Sequence, residues 1–248
     1  DSIFINRLVI HIDSLNNMNK KFCGILHLYG THAPYWYKEK NRTIKGNSRE
    51  TDYYNSIYQQ DVSLAVLLKY LEEKKLIDNT VIIYTSDHGE AFGKRDVSGH
   101  LTRYFEEVVG IPLWIYIPEK LFQHYDKFTI KNNLLKNISN IDILPTILDL
   151  LKVLINSELY KKDGGISLLK EIPRDREILI TNYNNINYAR FDKSYCLITD
   201  SLKYIYRTNN EKLDVSIYNF IADKDETYNL NKNNKNVVEV NYELLKNL

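Results

Sequence analysis

The sequence predicts an α/β protein with a mainly parallel central sheet flanked by helices and a small antiparallel carboxy-terminal appendage. Three observations predict it. Short apolar runs typical of buried strands alternate with longer segments that have helical periodicity. Beyond residue 176, tyrosine-rich runs are separated by turn-like polar residues. We therefore expect one domain over residues 1–248, with an α/β core at 24–175 and the antiparallel subregion at 176–230.

The predicted core strands are three short apolar runs. Gly24–Tyr29 ends at Gly30 and feeds a loop, and Val81–Tyr84 is β-branched without alternation, as in a strand covered on both faces. Ile111–Ile117 follows a polar loop. His27 lies inside the first run, so we expect it to be a core histidine.

Two segments have the periodicity of helices that bury one face. Apolar residues recur at helical spacing from Tyr54 to Leu71 and again from Ile143 to Leu151, where Pro145 lies in the first turn. The strands expected in the appendage are Tyr195–Ile198, Lys203–Tyr206 and Val215–Tyr218.

Composition argues against several classes of function. The 248 residues carry a net charge of +1 with both signs interspersed, so neither a nucleic-acid partner nor a polybasic membrane-binding block is expected. Cys23 and Cys196 are too few for a disulfide framework or a zinc cage. No apolar run reaches the roughly 18 residues of a transmembrane segment. The chain begins at Asp1 rather than Met, so we expect it to be amino-terminally incomplete.

The first candidate site is Asp87-His88-Gly89, which follows the predicted strand Val81–Tyr84. Ligands of parallel sheets collect beyond the carboxyl ends of strands. A carboxylate beside an imidazole offers an oxygen and a nitrogen to a divalent cation, and Gly89 permits a tight turn. Asp87 and His88 are therefore candidate metal ligands. A loop aspartate capping a helix beside an exposed histidine would have the same sequence.

Two further histidines are candidates for catalytic roles. His32 follows the predicted strand Gly24–Tyr29 and could donate a hydrogen bond to an anionic oxygen, and His100 lies in a glycine-containing loop. Each could equally be an ordinary turn or loop residue. The sequence contains no Gly-x-Ser-x-Gly elbow, no phosphate-binding glycine loop with its lysine and no His-Glu-x-x-His helix, which disfavours the classes that depend on them.

Five segments together resemble successive blocks of the sulfatase family of the alkaline-phosphatase-like superfamily. Their order and spacing are far more specific than any one motif. The blocks are Thr85-Ser-Asp-His-Gly-Glu90, Phe105–Leu113, Asp142–Leu148, Asp163–Leu168 and Ile217–Leu230.

The earlier part of the chain resembles one branch of this superfamily more specifically. Leu26–Tyr37, which contains Thr31-His-Ala-Pro34, and Tyr53–Asp61 resemble the phosphoethanolamine transferases, with phosphoglycerol transferases as close relatives. This branch implies a cell-envelope or periplasmic location; apart from it the location is unknown.

The resemblance implies roles for the candidate residues. Asp87 and His88 match the family's metal ligands, with zinc, manganese or calcium as the cofactor, and His32 and His100 match histidines that hold the transferring group or a second metal. Family members place a nucleophile on the metal, which lowers its pKa. The nucleophile block is not matched here, and the chain contains no Cys-x-Pro-x-Arg.

Three functions remain open on this basis. The main interpretation is a metal-dependent enzyme that cleaves or transfers phosphate esters, the second is a sulfuric ester hydrolase, and the third is a catalytically inactive module with the same fold. The expected partner is a small-molecule or lipid or glycan ester. We expect this segment alone to be inactive because it lacks the nucleophile block.

Overall fold

The computed structural model describes residues 1–94, 98–100, 104–153, 164–182, 194–209 and 212–232. The chain forms two compact units, the first made of Asp1–Ile82 with Tyr116–Lys120 and the second of Ile83–Ile115 with Leu121–Leu248. The prediction of one domain with a 24–175 core and a 176–230 subregion stays a prediction, because compact units need not fold independently.

The described residues form helices and strands, with the last four strands consecutive in the sequence. The helices are α1 (Ser2–Asn17), α2 (Arg49–Glu73), α3 (Glu106–Val109), α4 (Glu119–Phe122), α5 (Lys127–Asn133) and α6 (Ile143–Leu150). The strands are β1 (Ile82–Thr85), β2 (Ala91–Phe92), β3 (Ser98–Gly99), β4 (Leu113–Tyr116), β5 (Glu177–Asn182), β6 (Ser194–Thr199), β7 (Leu202–Asn209) and β8 (Lys212–Asn219).

Helices α1 and α2 form the core of the first unit. Ile5 and Ile12 recur at a two-turn spacing and pack with Leu67 and Leu71, which are one turn apart on α2. Helix α2 confirms the helix predicted at 54–71 and begins earlier, at Arg49, directly after the cap residue Ser48. The predicted start was late because the first turns of α2 are polar and carry no apolar period.

Residues 24–29 of the first unit correct two expectations. They form no regular strand, although Leu26 and Leu28 pack toward the helix core while Ile25 is 94% exposed. Alternate burial makes the segment look like a strand, but a strand also needs a hydrogen-bonded neighbour. His27 is exposed rather than a core histidine, because it lies on the outward side of this alternation.

In the second unit, β5 to β8 form a four-stranded antiparallel sheet in sequential order. This sheet confirms the predicted appendage and its strands. One face buries Leu197, Tyr204, Tyr206, Val215 and Ile217. The alternate residues of the other face include Cys196 and Ile205, which pack against the segment that precedes α3. Cys196 is fully buried, whereas Cys23 of the first unit is exposed.

The mainly parallel central sheet was only partly correct as a prediction. Within the described residues that region contains two small sheets, one made of β1 and β4 and one made of β2 and β3, which pair antiparallel. Tyr84 of β1 stacks on Trp114 of β4 with ring centroids 5.3 Å apart. The apolar runs 81–84 and 111–117 therefore do contain strands. The third apolar run, 24–29, supplies none.

Helix α6 confirms the helix predicted from residue 143, and a buried ion pair lies just before it. Asp142 has no exposed surface and accepts two hydrogen bonds from Arg176, of 2.7 and 2.8 Å. Asp142 also accepts hydrogen bonds from the backbone N–H groups of Ser139 and Ile166. Among the residues described, no helix has the length and apolar character needed to cross a membrane.

Candidate functional site

Asp87 and His88 lie in the loop between β1 and β2, as the sequence predicts. The hydroxyl of Ser86 donates to the His88 carbonyl oxygen at 2.7 Å, which closes a tight turn. The side-chain amide of Asn140 donates to the Ser86 carbonyl oxygen at 2.9 Å, and its oxygen accepts from the Thr85 hydroxyl at 3.2 Å. The loop is therefore held at its base by a residue far away in the sequence.

The His88 ring has a defined tautomer. Its Nδ1 lies 2.8 Å from the carbonyl oxygen of Gly89, and since a carbonyl oxygen only accepts, Nδ1 carries the proton. When the ring is neutral, its Nε2 atom presents a lone pair. It lies 3.7 Å from Oδ2 of Asp87. Metal-binding histidines commonly donate their other ring N–H to a carbonyl or carboxylate in this way.

The Asp87 carboxylate is held in its ionised form. Partial burial alone would raise the pKa of Asp87, but the neighbouring His88 ring, the N–H groups of His88 and Asp87, and the Ser86 hydroxyl together lower it below its usual value. The His88 N–H donates to Oδ1 at 3.0 Å. The Asp87 side chain is 78% exposed, so its Oδ2 can bind a cation from solvent.

His100 lies against His88. The two imidazole rings stack with centroids 3.8 Å apart and an angle of 23° between their planes. Nδ1 of His100 lies 3.4 Å from Oε1 of Glu90, whose side chain is 10% exposed. Asp87, His88, His100 and Glu90 thus form a continuous row of titratable side chains in the second unit.

Gly89 fits where no other residue would. Its N–H donates to the Val108 carbonyl oxygen at 2.7 Å, and a Cβ atom at this position would collide with the carbonyl oxygen of Glu107. The close approach of the segment 107–108 is therefore the physical reason for glycine after His88.

His32 lies in the first unit, in a compact turn. Its ring stacks on Tyr29 with centroids 4.5 Å apart, and its Nδ1 lies 2.8 Å from the Ala33 carbonyl oxygen. The Thr31 hydroxyl accepts a hydrogen bond from the Gln60 side chain of α2 at 3.3 Å. The imidazole is exposed. The expected approach of His32 to His88 stays a prediction.

The donor set fits part of a metal site. Ligand atoms that share one divalent cation at bond lengths of about 2.0–2.6 Å lie roughly 3–4 Å apart, and Nε2 of His88 and Oδ2 of Asp87 have that separation. Both are acceptors, so a cation between them would satisfy both. Within the part of the chain that the structure describes, no group of three or more His, Cys, Asp or Glu side chains is placed to hold a metal ion.

Two residues of this site were not identified from the sequence. Asn140 contacts the loop from the turn before α6, and Glu90 contacts His100. Glu90 follows His88 closely and could have been proposed from the motif Thr85–Glu90. Asn140 carries no local signal, because its role depends on a long-range contact.

A family model described as "Sulfatase" matches residues 1–153, which include His32, Asp87, His88 and His100. The chain belongs to the sulfatase family. The match covers the loop of the first unit and the whole row of side chains from Asp87 to His100. The predicted family is therefore confirmed.

Curated relatives of this sulfatase-family chain are themselves sulfatases. Arylsulfatase K of Gallus gallus is 26% identical over 189 residues, which cover 72% of this chain and 32% of that protein. The ulvan-active sulfatase of Formosa agariphila is 27% identical over 188 residues, which cover 67% of this chain and 36% of that protein. The chain thus spans about a third of the length of these relatives.

Solved structures of the family have the same fold. The yidJ protein of Bacteroides fragilis matches 99% of this chain and 57% of its own with a TM-score of 0.74 and 18% identity. BT4656, solved with its substrate D-glucosamine-2-N,6-O-disulfate, matches 81% of this chain and 39% of its own with a TM-score of 0.60 and 25% identity. These neighbours and relatives favour the sulfatase interpretation over the expected phosphoethanolamine transferase branch.

Proposed function

We propose that the protein is a metal-dependent sulfuric ester hydrolase in which Asp87 and His88 bind the cation. The observation that carries this proposal is the placement of Nε2 of His88 3.7 Å from a carboxylate oxygen of Asp87, in a chain whose curated relatives are sulfatases. A divalent cation bound between these two atoms would contact both of them.

The residues of the site have distinct tasks in this proposal. When bound, a divalent cation would offset the negative charge of the ester oxygens and lower the pKa of a nucleophile placed beside it. The Gly89 carbonyl holds the His88 ring so that Nε2 faces Asp87. Glu90 orients His100, which donates a hydrogen bond from Nε2 to an anionic oxygen of the substrate when both of its ring nitrogens carry protons.

His32, when both of its ring nitrogens carry protons, is proposed to donate a hydrogen bond from Nε2 to the substrate anion. The Ala33 carbonyl accepts from Nδ1, and the Tyr29 ring supports one face of the imidazole, so the direction of Nε2 is set before substrate binds. The substrate class supported best is a small molecule or glycan that carries a sulfate ester, as the disulfated glucosamine bound by BT4656 does.

No residue of this chain is assigned as the nucleophile. The sequence contains no Cys-x-Pro-x-Arg, and the turn at 86–90 offers only the Ser86 hydroxyl, which already donates to the His88 carbonyl oxygen. We expect the purified polypeptide 1–248 to turn over neither aryl sulfates nor phosphodiesters, because none of its residues is assigned as the nucleophile and catalysis by a group of cooperating residues depends on every member.

The test is an activity assay of the protein at its natural length. A chromogenic aryl sulfate and a chromogenic phosphodiester are compared with calcium, manganese or zinc added. We expect hydrolysis of the sulfate ester, abolished by Asp87→Ala and by chelation of the metal. Preference for the phosphodiester would instead support the phosphoryl-transferase interpretation. Metal-independent turnover, or turnover that survives Asp87→Ala, would reject the assigned ligands.

A further inference from the structure

The segment 104–110 is packed on one face of the sheet formed by β5 to β8. Tyr104 and Phe105 belong to a buried cluster with Cys196 and Ile205, and the Tyr104 hydroxyl donates to the Ser194 carbonyl oxygen at 2.8 Å. Lys203 points to the same face, because it is two residues from Ile205 on β7. Lys203 therefore places an amino group on the same face as this apolar cluster.

Lys203 lies between two carboxylates. Its Nζ is 2.8 Å from Oε2 of Glu106 and 2.7 Å from Oε1 of Glu226, and the side chains of Lys203 and Glu226 have no exposed surface. The other oxygen of Glu226, Oε2, accepts a hydrogen bond of 2.6 Å from the Glu106 backbone N–H. Glu226 thus binds the first residue of α3 directly and, through Lys203, its side chain as well.

The turn that these residues hold is also the wall behind Gly89. Val108, two residues after Glu106, accepts the Gly89 N–H, and the Glu107 carbonyl leaves no room for a Cβ at position 89. A displacement of α3 would therefore displace Gly89. The carbonyl of Gly89 in turn fixes the His88 ring.

Stability alone does not explain this network, in which Lys203 and Glu226 are fully buried and the Glu106 side chain is 42% exposed. Removing charges from water costs free energy, and replacing a buried ion pair by apolar side chains often leaves stability unchanged or increases it. A buried ion network does impose a defined position on the segments it joins. Here the ion network fixes the position of the turn that contacts the Asp87–Gly89 loop.

We propose that Lys203, Glu106 and Glu226 are positioning residues of the metal site. They hold α3 against the antiparallel sheet, and α3 holds Gly89, so that Nε2 of His88 and the Asp87 carboxylate keep the separation that a shared cation requires. This inference rests on the proposed function in one respect, namely that Asp87 and His88 are taken as the ligands.

The test measures the Gly89 amide directly. Hydrogen exchange is followed in Lys203→Met and compared with the exchange of β6 amides, in the absence of metal and substrate. We expect the ratio of the Gly89 exchange rate to the β6 exchange rate to rise at least about tenfold, because local opening of the contact between Gly89 and α3 becomes easier. Ile217→Val, a change on the opposite face of the sheet, is the control and should leave that ratio unchanged.

A second variant covers the case in which Lys203→Met does not fold. Glu226→Gln keeps the shape of the side chain but has only one side-chain oxygen, so it cannot accept hydrogen bonds from both Lys203 and the Glu106 N–H through separate oxygens. We expect the same increase in the Gly89 exchange ratio. The affinity for manganese should fall in either variant and not in Ile217→Val. An unchanged Gly89 ratio in a folded variant overturns the proposal. Because exchange needs no substrate, the absence of sulfatase activity would reject the proposed function without affecting this result.

Discussion

The imidazole rings of His88 and His100 are in stacking contact, although β2 and β3 lie between them in the sequence. Their centroids are 3.8 Å apart. The contact joins a predicted metal ligand to a predicted substrate-binding histidine inside the second unit. A substitution that removes either ring therefore also removes a contact of the other.

Metal affinity should depend on Asp87 and His88. We expect the double variant Asp87→Ala, His88→Ala to lose at least about 100-fold in affinity for manganese or calcium, since even supporting residues of metal sites contribute about 10-fold to 100-fold. Titration calorimetry measures this loss. The double variant Asp78→Ala, His124→Ala changes the same residue types at exposed positions elsewhere and should bind as the unsubstituted chain does. Equal affinities for both double variants would reject the site.

His32 should approach the same bound anion as His100. An experimental structure of the protein with sulfate and a divalent cation would measure the distance between the His32 and His88 rings. Groups that hold one small anion must each reach it by a hydrogen bond, so we expect this distance to be below about 12 Å. A larger distance in the liganded protein would remove His32 from the proposed site.

Gly89→Ala should destabilise the second unit and weaken metal binding. The added Cβ meets the Glu107 carbonyl oxygen, so the loop or α3 must shift, and overpacking of this kind costs about 1–3 kcal/mol. Urea unfolding gives the loss of stability. Gly24→Ala is the matched control, because a Cβ there would be in ordinary contact, 3.9 Å from Leu8. Equal stability of both variants would contradict the close approach.

The buried pair Arg176–Asp142 should matter far more than its exposed neighbour. Arg176→Met leaves the carboxylate of Asp142 buried without its partner, and such losses cost about 3–5 kcal/mol. Arg174 pairs with Asp200 at 3.8 Å on the surface, and Arg174→Met should cost less than about 1 kcal/mol. Chemical denaturation compares the two. Similar losses would show that Asp142 is satisfied by its backbone donors alone.

Alkaline pH should destabilise the second unit through Cys196. The pKa of this thiol is raised from 9.0 to about 12, mainly by burial. The nearby carboxylates of Glu226 and Glu106 also raise this pKa, and the ammonium group of Lys203 lowers it. The folded state thus holds the proton more tightly than the unfolded state. The stability from this group is complete below pH 9 and is lost as the pH rises toward 12, with a slope of about 1.4 kcal/mol per pH unit.

The measurement is the free energy of unfolding at several pH values between 8 and 11. Cys196→Ala removes the ionisable group and should flatten the decline above pH 9. Cys23→Ala changes the exposed cysteine and serves as the control. A decline of the same slope in the Cys196→Ala variant would assign the alkaline sensitivity to other groups.

Local sequence patterns were sufficient for the parts of the fold that depend on local periodicity. The alternation in Tyr195–Ile198, Lys203–Tyr206 and Val215–Tyr218 predicted strands that the antiparallel sheet contains. The run 24–29 has the same alternation and forms no strand, because pairing depends on a neighbour that the sequence pattern does not specify. Helix α1 was not predicted.

The residues of the candidate site also divide into those that the sequence could predict and those that it could not. Asp87, His88 and His100 could be proposed from motifs and from their placement after strands. Asn140, Glu106 and Glu226 could not be assigned a role, because each acts on the loop through contacts between distant segments. The closing block Ile217–Leu230 resembled the family in sequence, and its contact with α3 through Glu226 gives a physical reason for its presence.

The contrast between Cys23 and Cys196 makes the protein convenient for labelling. A maleimide dye should attach to Cys23 in the first unit without any engineered cysteine, because the Cys196 thiol has no exposed surface and a raised pKa, and the reactive species is the thiolate. Attachment of a second dye would then require the antiparallel sheet of the second unit to open. The mass of the labelled protein over time would therefore record how often that sheet opens under native conditions.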